Sequence, residues 1–182
     1  MQTAAIILAA GASVRFGSPK QLARVGEGSM LETVVDIARS AGLTPIIVVL
    51  PTTMRAPTGT IPVVNDLPEE GISRSLRLGL AAVPTDATAA VVLLGDQPTI
   101  STGVLAELLQ ARGSRPIVAA RAGGLLAPPV LLERSAFGRA DTVTGDRGLR
   151  DLIREHPDLV TPVEVGEHAP DVDTPEDLER LA

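Results

Sequence analysis

Two kinds of apolar pattern alternate along this chain. Short unbroken runs of small and β-branched residues recur at Ala4 to Leu8, Pro45 to Leu50, Ile61 to Val64, Ala89 to Leu94 and Ile117 to Ala120, with a fainter one at Val160 to Val165. Runs of this length without polar alternation predict strands covered on both faces. Between them, apolar residues return at helical spacing. Ser29-Met30-Leu31-Glu32 reads as a capping box, Leu31, Val34, Val35 and Ala38 form the stripe behind it, and Gly42 ends the helix. The same logic predicts helices over Ile72 to Val83, Gly103 to Arg112, Gly148 to His156 and Pro175 to Ala182, the last with Thr174 as N-cap and Pro175 in its first turn.

Strand and helix in alternation, joined by right-handed crossovers, predict an α/β fold: a three-layer α/β/α sandwich around a Rossmann-like, mostly parallel sheet, with ligands at the carboxyl ends of its strands. Residues 51–60 and Arg121 to Pro129 are rich in Pro, Gly and Ala and read as loops within one domain spanning 1–182, since apolar strands resume after each.

Composition narrows the function classes. With 182 residues and 45% hydrophobic content, one sizeable core is expected, built almost entirely from aliphatic side chains because Phe16 and Phe137 are the only aromatics. Stacking platforms for single-stranded nucleic acid are therefore lacking, and a net charge of -6 opposes broad binding to polyanions. No cysteine means no disulfide, thiolate metal site or thiol nucleophile. The first apolar run is short and lacks a basic leader, so the expectation is a cytoplasmic protein without membrane association.

The chemistry gathers at strand ends. After the first strand, Leu8-Ala9-Ala10-Gly11 lets backbone amides approach a ligand closely, and Arg15 and Lys20 add two charges. Lys20 is the single lysine beside fifteen arginines, a compact ammonium suited to phosphate. The loop is neither a Walker loop nor a dinucleotide fingerprint, since Phe16 interrupts the first pattern and Ser13 the second. Gly95-Asp96-Gln97-Pro98 ends another strand with a carboxylate, a good position for Mg²⁺, and Asp173 in Asp171-Val172-Asp173-Thr174-Pro175 is a candidate second acid. Asn65 closes the third strand, and Gly71, Ser73 and Ser75 open the helix after it, where amides and hydroxyls suit a base or ribose. Gly145 to Arg150 is a turn into a helix where a second anion would fit, while His156 and His168 lack any partner spacing and carry no assignment.

In order and spacing, LAAGASVRFGSPKQL from Leu8, VVNDLPEEGISRSL from Val63, LLGDQP from Leu93, PPVL from Pro128, GDRGLRDL from Gly145 and DVDTPEDL from Asp171 resemble the MobA-like nucleotidyltransferases, especially the molybdenum cofactor cytidylyltransferase branch. The resemblance spans nearly the whole chain and implies a nucleotide-diphospho-sugar transferase-like fold. It also implies a reaction in which a nucleoside monophosphate passes from CTP to the phosphate of molybdopterin with release of pyrophosphate. By motif, Arg15 and Lys20 would grip the triphosphate, and Asp96 and Asp173 would hold Mg²⁺, or Mn²⁺ in its place. The implied partners are the nucleotide, molybdopterin and a recipient molybdoenzyme. Ala9-Ala10-Gly11 and Pro19-Lys20 favour CTP over the GTP of guanylyltransferases, which tend to show Ala-Gly-Gly and Asp-Lys. The isoprenoid-pathway cytidylyltransferases share the Leu-Ala-Ala-Gly start but usually carry Asp-Ala-Ala-Arg-Pro where this chain has Gly95 to Pro98. One departure bears on the acceptor: Ala127-Pro128-Pro129 stands where the family usually has Gly-His-Pro or Gly-Asn-Pro. Guanylyl transfer, transfer to another phosphorylated acceptor and a non-catalytic molybdopterin carrier remain alternatives.

Overall fold

The computed structural model describes residues 2–11, 16, 20–145, 148–167 and 169–180. Strands β1 (Gln2–Leu8), β4 (Ile46–Leu50), β5 (Ile61–Val64), β6 (Ala87–Leu94), β7 (Ile117–Ala122), β8 (Leu125–Glu133) and β9 (Val160–Glu164) form one sheet in the order β5-β4-β1-β6-β8-β7-β9. A two-stranded ribbon, β2 (Arg24–Val25) with β3 (Gly28–Ser29), stands apart from it. In the large sheet β8 runs against both neighbours, and every other pairing is parallel.

Helices α1 (Met30–Ser40), α2 (Ile72–Ala81), α3 (Thr102–Gln110) and α4 (Gly148–Glu155) lie between these strands in the chain, and α5 (Pro175–Glu179) follows β9. Alternate residues of each strand divide the core in two. Ile6, Val49 and Val92 face Leu76 and Leu80 of α2 and Leu152 of α4, whereas Ile7, Val48 and Val91 face Leu31 and Val35 of α1 and Leu105 of α3. The three-layer sandwich follows, because a strand buried on both faces needs helices on both. The first helix begins as its sequence predicts: Ser29 Oγ accepts from the Glu32 amide at 3.2 Å, and the Ser29 amide donates to the Glu32 carboxylate at 2.7 Å. Helix α2 comes so close to β1 that a Cβ added at Gly79 would lie 2.4 Å from Cγ2 of Ile6.

Two expectations need correction. The stretch from Arg121 to Pro129 is not a loop: it holds the end of β7, a turn at Gly123-Gly124 and the first half of β8. The two prolines that argued against a strand sit where the ladder is interrupted. Ala119 pairs with Val130 and Ala120 with Ala127, so Pro128 and Pro129 fall in a bulge, where no ladder amide is required. Strand β5 is also less covered than its apolar sequence predicts, for it lies at the sheet edge with Ile61 and Val64 exposed. Residues 51–60 do form a loop, and a 3-10 stretch over Arg134–Thr142 had no sequence signal.

Candidate active site

The strand order reverses between β1 and β6, whose crossovers leave in opposite directions, and in open α/β sheets the carboxyl ends at such a reversal are where ligands bind. Both strands end in small residues, which allows close contact: the Gly95 amide donates to Leu8 O at 2.9 Å, and a Cβ at Gly95 would sit 3.0 Å from that of Ala9. Leu8, Ala9 and Ala10 are buried and Gly11 is exposed at the end of this ledge. Arg15 lies outside the described residues.

Beyond the ledge the chain turns through a 3-10 segment, Lys20–Leu22, which buries Lys20 to 8% exposure. Its ammonium lies 2.7 Å from Asp96 Oδ2 and donates to Asp173 Oδ1 at 2.7 Å. Three residues distant in sequence thus meet at one point. Burial alone would lower the Lys20 pKa, but hydrogen bonds and charges from Asp173 and Asp96 outweigh it and raise it, so the lysine is cationic at neutral pH. In the structure this ammonium faces carboxylates, whereas the sequence pattern assigned it to phosphate.

The segment that delivers Asp173 is fastened on both sides. On one side the Val172 amide donates to Asp96 O at 2.9 Å, and Gln97 Nε2 donates to Asp171 Oδ1 at 2.8 Å and to Ala169 O at 3.2 Å. On the other, the amides of Asp173 and Thr174 donate to Asp177 Oδ2, and Thr174 Oγ1 accepts from the Asp177 amide in a second capping box. Thr174 therefore does the capping, as its position predicts, and Asp173 points instead to Lys20.

Several polar atoms here are left unmatched. Asp96 Oδ1, Gln97 Oε1 and Ser73 Oγ are buried without a hydrogen-bond partner among the described residues. Such atoms cost free energy unless something else satisfies them. For Gln97 the orientation is forced: both atoms facing its Nε2 are acceptors, so Oε1 must point away from them. Burial, followed by the negative charge of Asp96, pushes the Asp171 carboxyl above its usual range. Among the described residues, three aspartates against one lysine carry a formal excess of two negative charges. That excess, with the orphaned Asp96 oxygen and purely oxygen donors, fits a hard divalent cation of the Mg²⁺ or Mn²⁺ type. Among the described residues no group of three or more acids or histidines is arranged to hold a metal by itself, so such an ion would complete its shell from substrate phosphates and water.

The base-side candidates form a separate group. Asn65 and Ser75 are buried and bonded to each other, Nδ2 to Oγ at 2.9 Å, while Asn65 Oδ1 accepts from Arg74 Nε at 3.0 Å and the Leu67 amide at 3.1 Å. Asn65 thus fixes the turn into α2. Gly71, at φ 89°, bends the chain into that helix without a side-chain cap, and Ser73 lies in its first turn with its hydroxyl unmatched. Sequence reasoning gives Gln97 and Asp171 no role, although a glutamine directly after the strand-end Asp96 marks the position. Asp146, Arg147 and His168 are outside the described residues.

A family model described as MobA-like NTP transferase domain matches residues 5–160. Nicotine blue oxidoreductase of Paenarthrobacter nicotinovorans is 29% identical over 193 residues, covering 97% of this chain and 94% of that protein. Among solved structures, Rv0371c from Mycobacterium tuberculosis H37Rv superposes with a TM-score of 0.87 at 32% identity, covering 100% of this chain and 97% of that one. The same protein in complex with manganese gives 0.83 at 30% identity, with 100% and 97% covered. A nucleotidyl transferase from Methanothermobacter thermautotroptrophicus, 20% identical with a TM-score of 0.82 and 99% and 95% covered, shares the fold. Among the described residues no helix is long and apolar enough to cross a membrane.

Proposed function

The chain belongs to the MobA-like NTP transferase domain family, and from that premise we propose that it transfers CMP from CTP to the terminal phosphate of molybdopterin, releasing pyrophosphate in a Mg²⁺- or Mn²⁺-dependent reaction. The observation that carries this reading is the convergence of Lys20, Asp96 and Asp173 at the strand ends, beside the Ala9-Ala10-Gly11 ledge.

The acceptor phosphate attacks the α-phosphorus in line; a new P–O bond forms, the bond to the β-phosphate breaks, and pyrophosphate leaves with that electron pair. A phosphate monoester has a second pKa of about 6, so it is mostly dianionic near neutral pH and needs no strong base. This agrees with a site that offers no cysteine and no assigned histidine. The residues instead hold and neutralise. Amides from Gly11 onward, with Arg15, meet the triphosphate, and Lys20 keeps positive charge between Asp96 and Asp173 so that the two carboxylates stay close. Asp96 and Asp173 would hold the divalent ion, which when bound offsets charge on the phosphate oxygens. Asn65, Gly71, Ser73 and Ser75 are assigned to base and ribose, Ser73 through its unmatched hydroxyl.

Pyrophosphate release with molybdopterin present, measured with CTP and GTP and with Mg²⁺, Mn²⁺ or chelator, tests this. Release with CTP and a metal, lost on chelation, is expected; release with GTP alone reassigns the base. Binding of molybdopterin with no release for either nucleotide identifies a carrier. The relative named nicotine blue oxidoreductase, similar along nearly the whole chain, supports a second reading, redox chemistry at the same strand edge. That reading predicts no pyrophosphate release and leaves the clustering of Lys20 with two aspartates without work to do.

A further inference from the structure

Lys20 and a divalent cation have claims on the same oxygens. The ammonium lies 2.7 Å from Asp96 Oδ2 and 2.7 Å from Asp173 Oδ1, the two acids that fit Mg²⁺ or Mn²⁺. Positive charges held on one pair of carboxylates repel each other at ion-pair range, so ammonium and metal compete for that position. The ammonium is also an incomplete match for it. Asp96 Oδ2 is engaged, yet Asp96 Oδ1 is buried without a hydrogen-bond partner among the described residues. One positive charge draws two carboxylates together without neutralising both.

We propose that Lys20 is an exchangeable internal cation: its ammonium fills the metal position until the phosphates of the nucleotide draw it away, and the divalent ion then enters between Asp96 and Asp173. The inference rests on the transfer reading above. It accounts for a lysine that meets carboxylates although it lies beside the ledge assigned to phosphate. The Lys20 segment adjoins that ledge, since a Cβ added at Gly11 would sit 4.0 Å from Nε2 of Gln21. An anion received by the ledge amides therefore meets the root of the lysine. Only the side chain has to move. The backbone is fastened, with Lys20 O accepting from the Ala23 amide at 3.0 Å and Ala23 O accepting from the Met30 amide at 2.8 Å, at the start of α1. The four-carbon stem is flexible, and a compact ammonium trades one set of oxygens for another with no planar fork to realign. An arginine paired two-pronged with a carboxylate would hold on more firmly. Every other cationic side chain in this protein is arginine; the one that has to let go is lysine. By linkage, nucleotide and metal then strengthen each other's binding, and without nucleotide the acids stay closed to free metal.

Because Lys20 is the only lysine, isotope-labelled lysine gives a single side-chain NMR signal from this site in the full chain. That signal is expected to stay in place when Mg²⁺ alone is added at millimolar concentration, and to shift when CTP and Mg²⁺ are added together without acceptor. Lys20→Met keeps the length of the side chain and removes its charge. With no nucleotide present it should bind Mn²⁺ roughly 5-fold to 150-fold more tightly than the wild type, the usual span of a coupling between two bound species, read by electron paramagnetic resonance. A wild-type signal that stays put while calorimetry shows CTP and Mg²⁺ bound would overturn the exchange and make the lysine a permanent brace, even if the variant grips Mn²⁺ more tightly through charge alone. A shift with Mg²⁺ alone, or equal Mn²⁺ affinity in the two proteins, would overturn it as well, with nucleotidyl transfer left standing. The NMR measurement needs only the wild type, so a variant that fails to fold does not remove the test. Failure of the wild type to bind CTP with Mg²⁺ would remove the transfer reading itself.

Discussion

The two edges of the sheet use the same ingredients to opposite ends. At the amino edge, Arg112 forms a two-pronged pair with Glu133, Nε to Oε1 and Nη2 to Oε2 both at 2.9 Å, and also donates to Thr3 Oγ1 at 2.8 Å and Thr88 Oγ1 at 3.0 Å. Burial works against the guanidinium, but the Glu133 hydrogen bonds outweigh it and raise its pKa further. This network joins β1, β6, β8 and the end of α3. At the carboxyl edge, Lys20 also bridges acids across the sheet, yet Asp96 Oδ1, Gln97 Oε1 and Ser73 Oγ have no partner among the described residues and Asp171 is pushed toward its neutral form. A saturated polar network holds a fold together. One whose buried acceptors lack partners among the described residues is the candidate site.

The largest expected difference is in turnover. Asp96→Asn should lower pyrophosphate release roughly 100-fold to 1000-fold, the usual loss for one electrostatic contact to a reacting group. The urea midpoint should move little, because Lys20 keeps its ion pair with Asp173 and the lost charge relieves the repulsion on Asp171. Wild-type turnover, or collapse of the fold, would erase the contrast between the edges. Glu133→Ala should do the reverse, costing on the order of 3 kcal/mol by leaving Arg112 unpaired, with activity per folded molecule intact. Urea denaturation beside an activity assay reads both quantities.

Between the edges, Gly79→Ala tests the packing of α2 on β1. Alanine normally gains up to about 1 kcal/mol over glycine within a helix, but overpacking typically costs about 1 to 3 kcal/mol. With the new methyl 2.4 Å from Ile6 Cγ2 and 3.2 Å from Val49 Cγ2, a net loss in thermal stability is expected; a gain would mean that the layers separate easily. The smallest effect belongs to Thr174→Ala, which removes the cap of α5 at a cost of about 1 kcal/mol. Hydrogen exchange over residues 173–180 should quicken while the amino edge stays protected, and turnover should fall a fewfold as Asp173 loosens.

Strands made of unbroken apolar runs, a helix with a reciprocal cap and a lysine set apart from fifteen arginines are local facts, and local reasoning reads them. Strand β8 escaped it because Pro128-Pro129 excludes regular pairing, and only a neighbouring strand could show that the prolines fall where pairing is already broken. Strand β5 looked fully buried because composition does not reveal which strand ends up at an edge. In the site, Asp96 and Asp173 were legible from their place at a strand end and beside a capping threonine. The strut made by Gln97 was not, since its partners lie 72 and 74 residues away.

Most of the strands and helices and the chemistry offered at each strand end follow from side-chain type and spacing. Their meeting does not. That Lys20 lies between Asp96 and Asp173, which are 77 residues apart in the chain, was decided by the crossover reversal between β1 and β6, because pairing distant strands is a property of the whole sheet. Which polar atoms remain unsatisfied was decided there too: a hydrogen bond forms or fails in three dimensions, and no residue records in its own identity whether a partner will arrive.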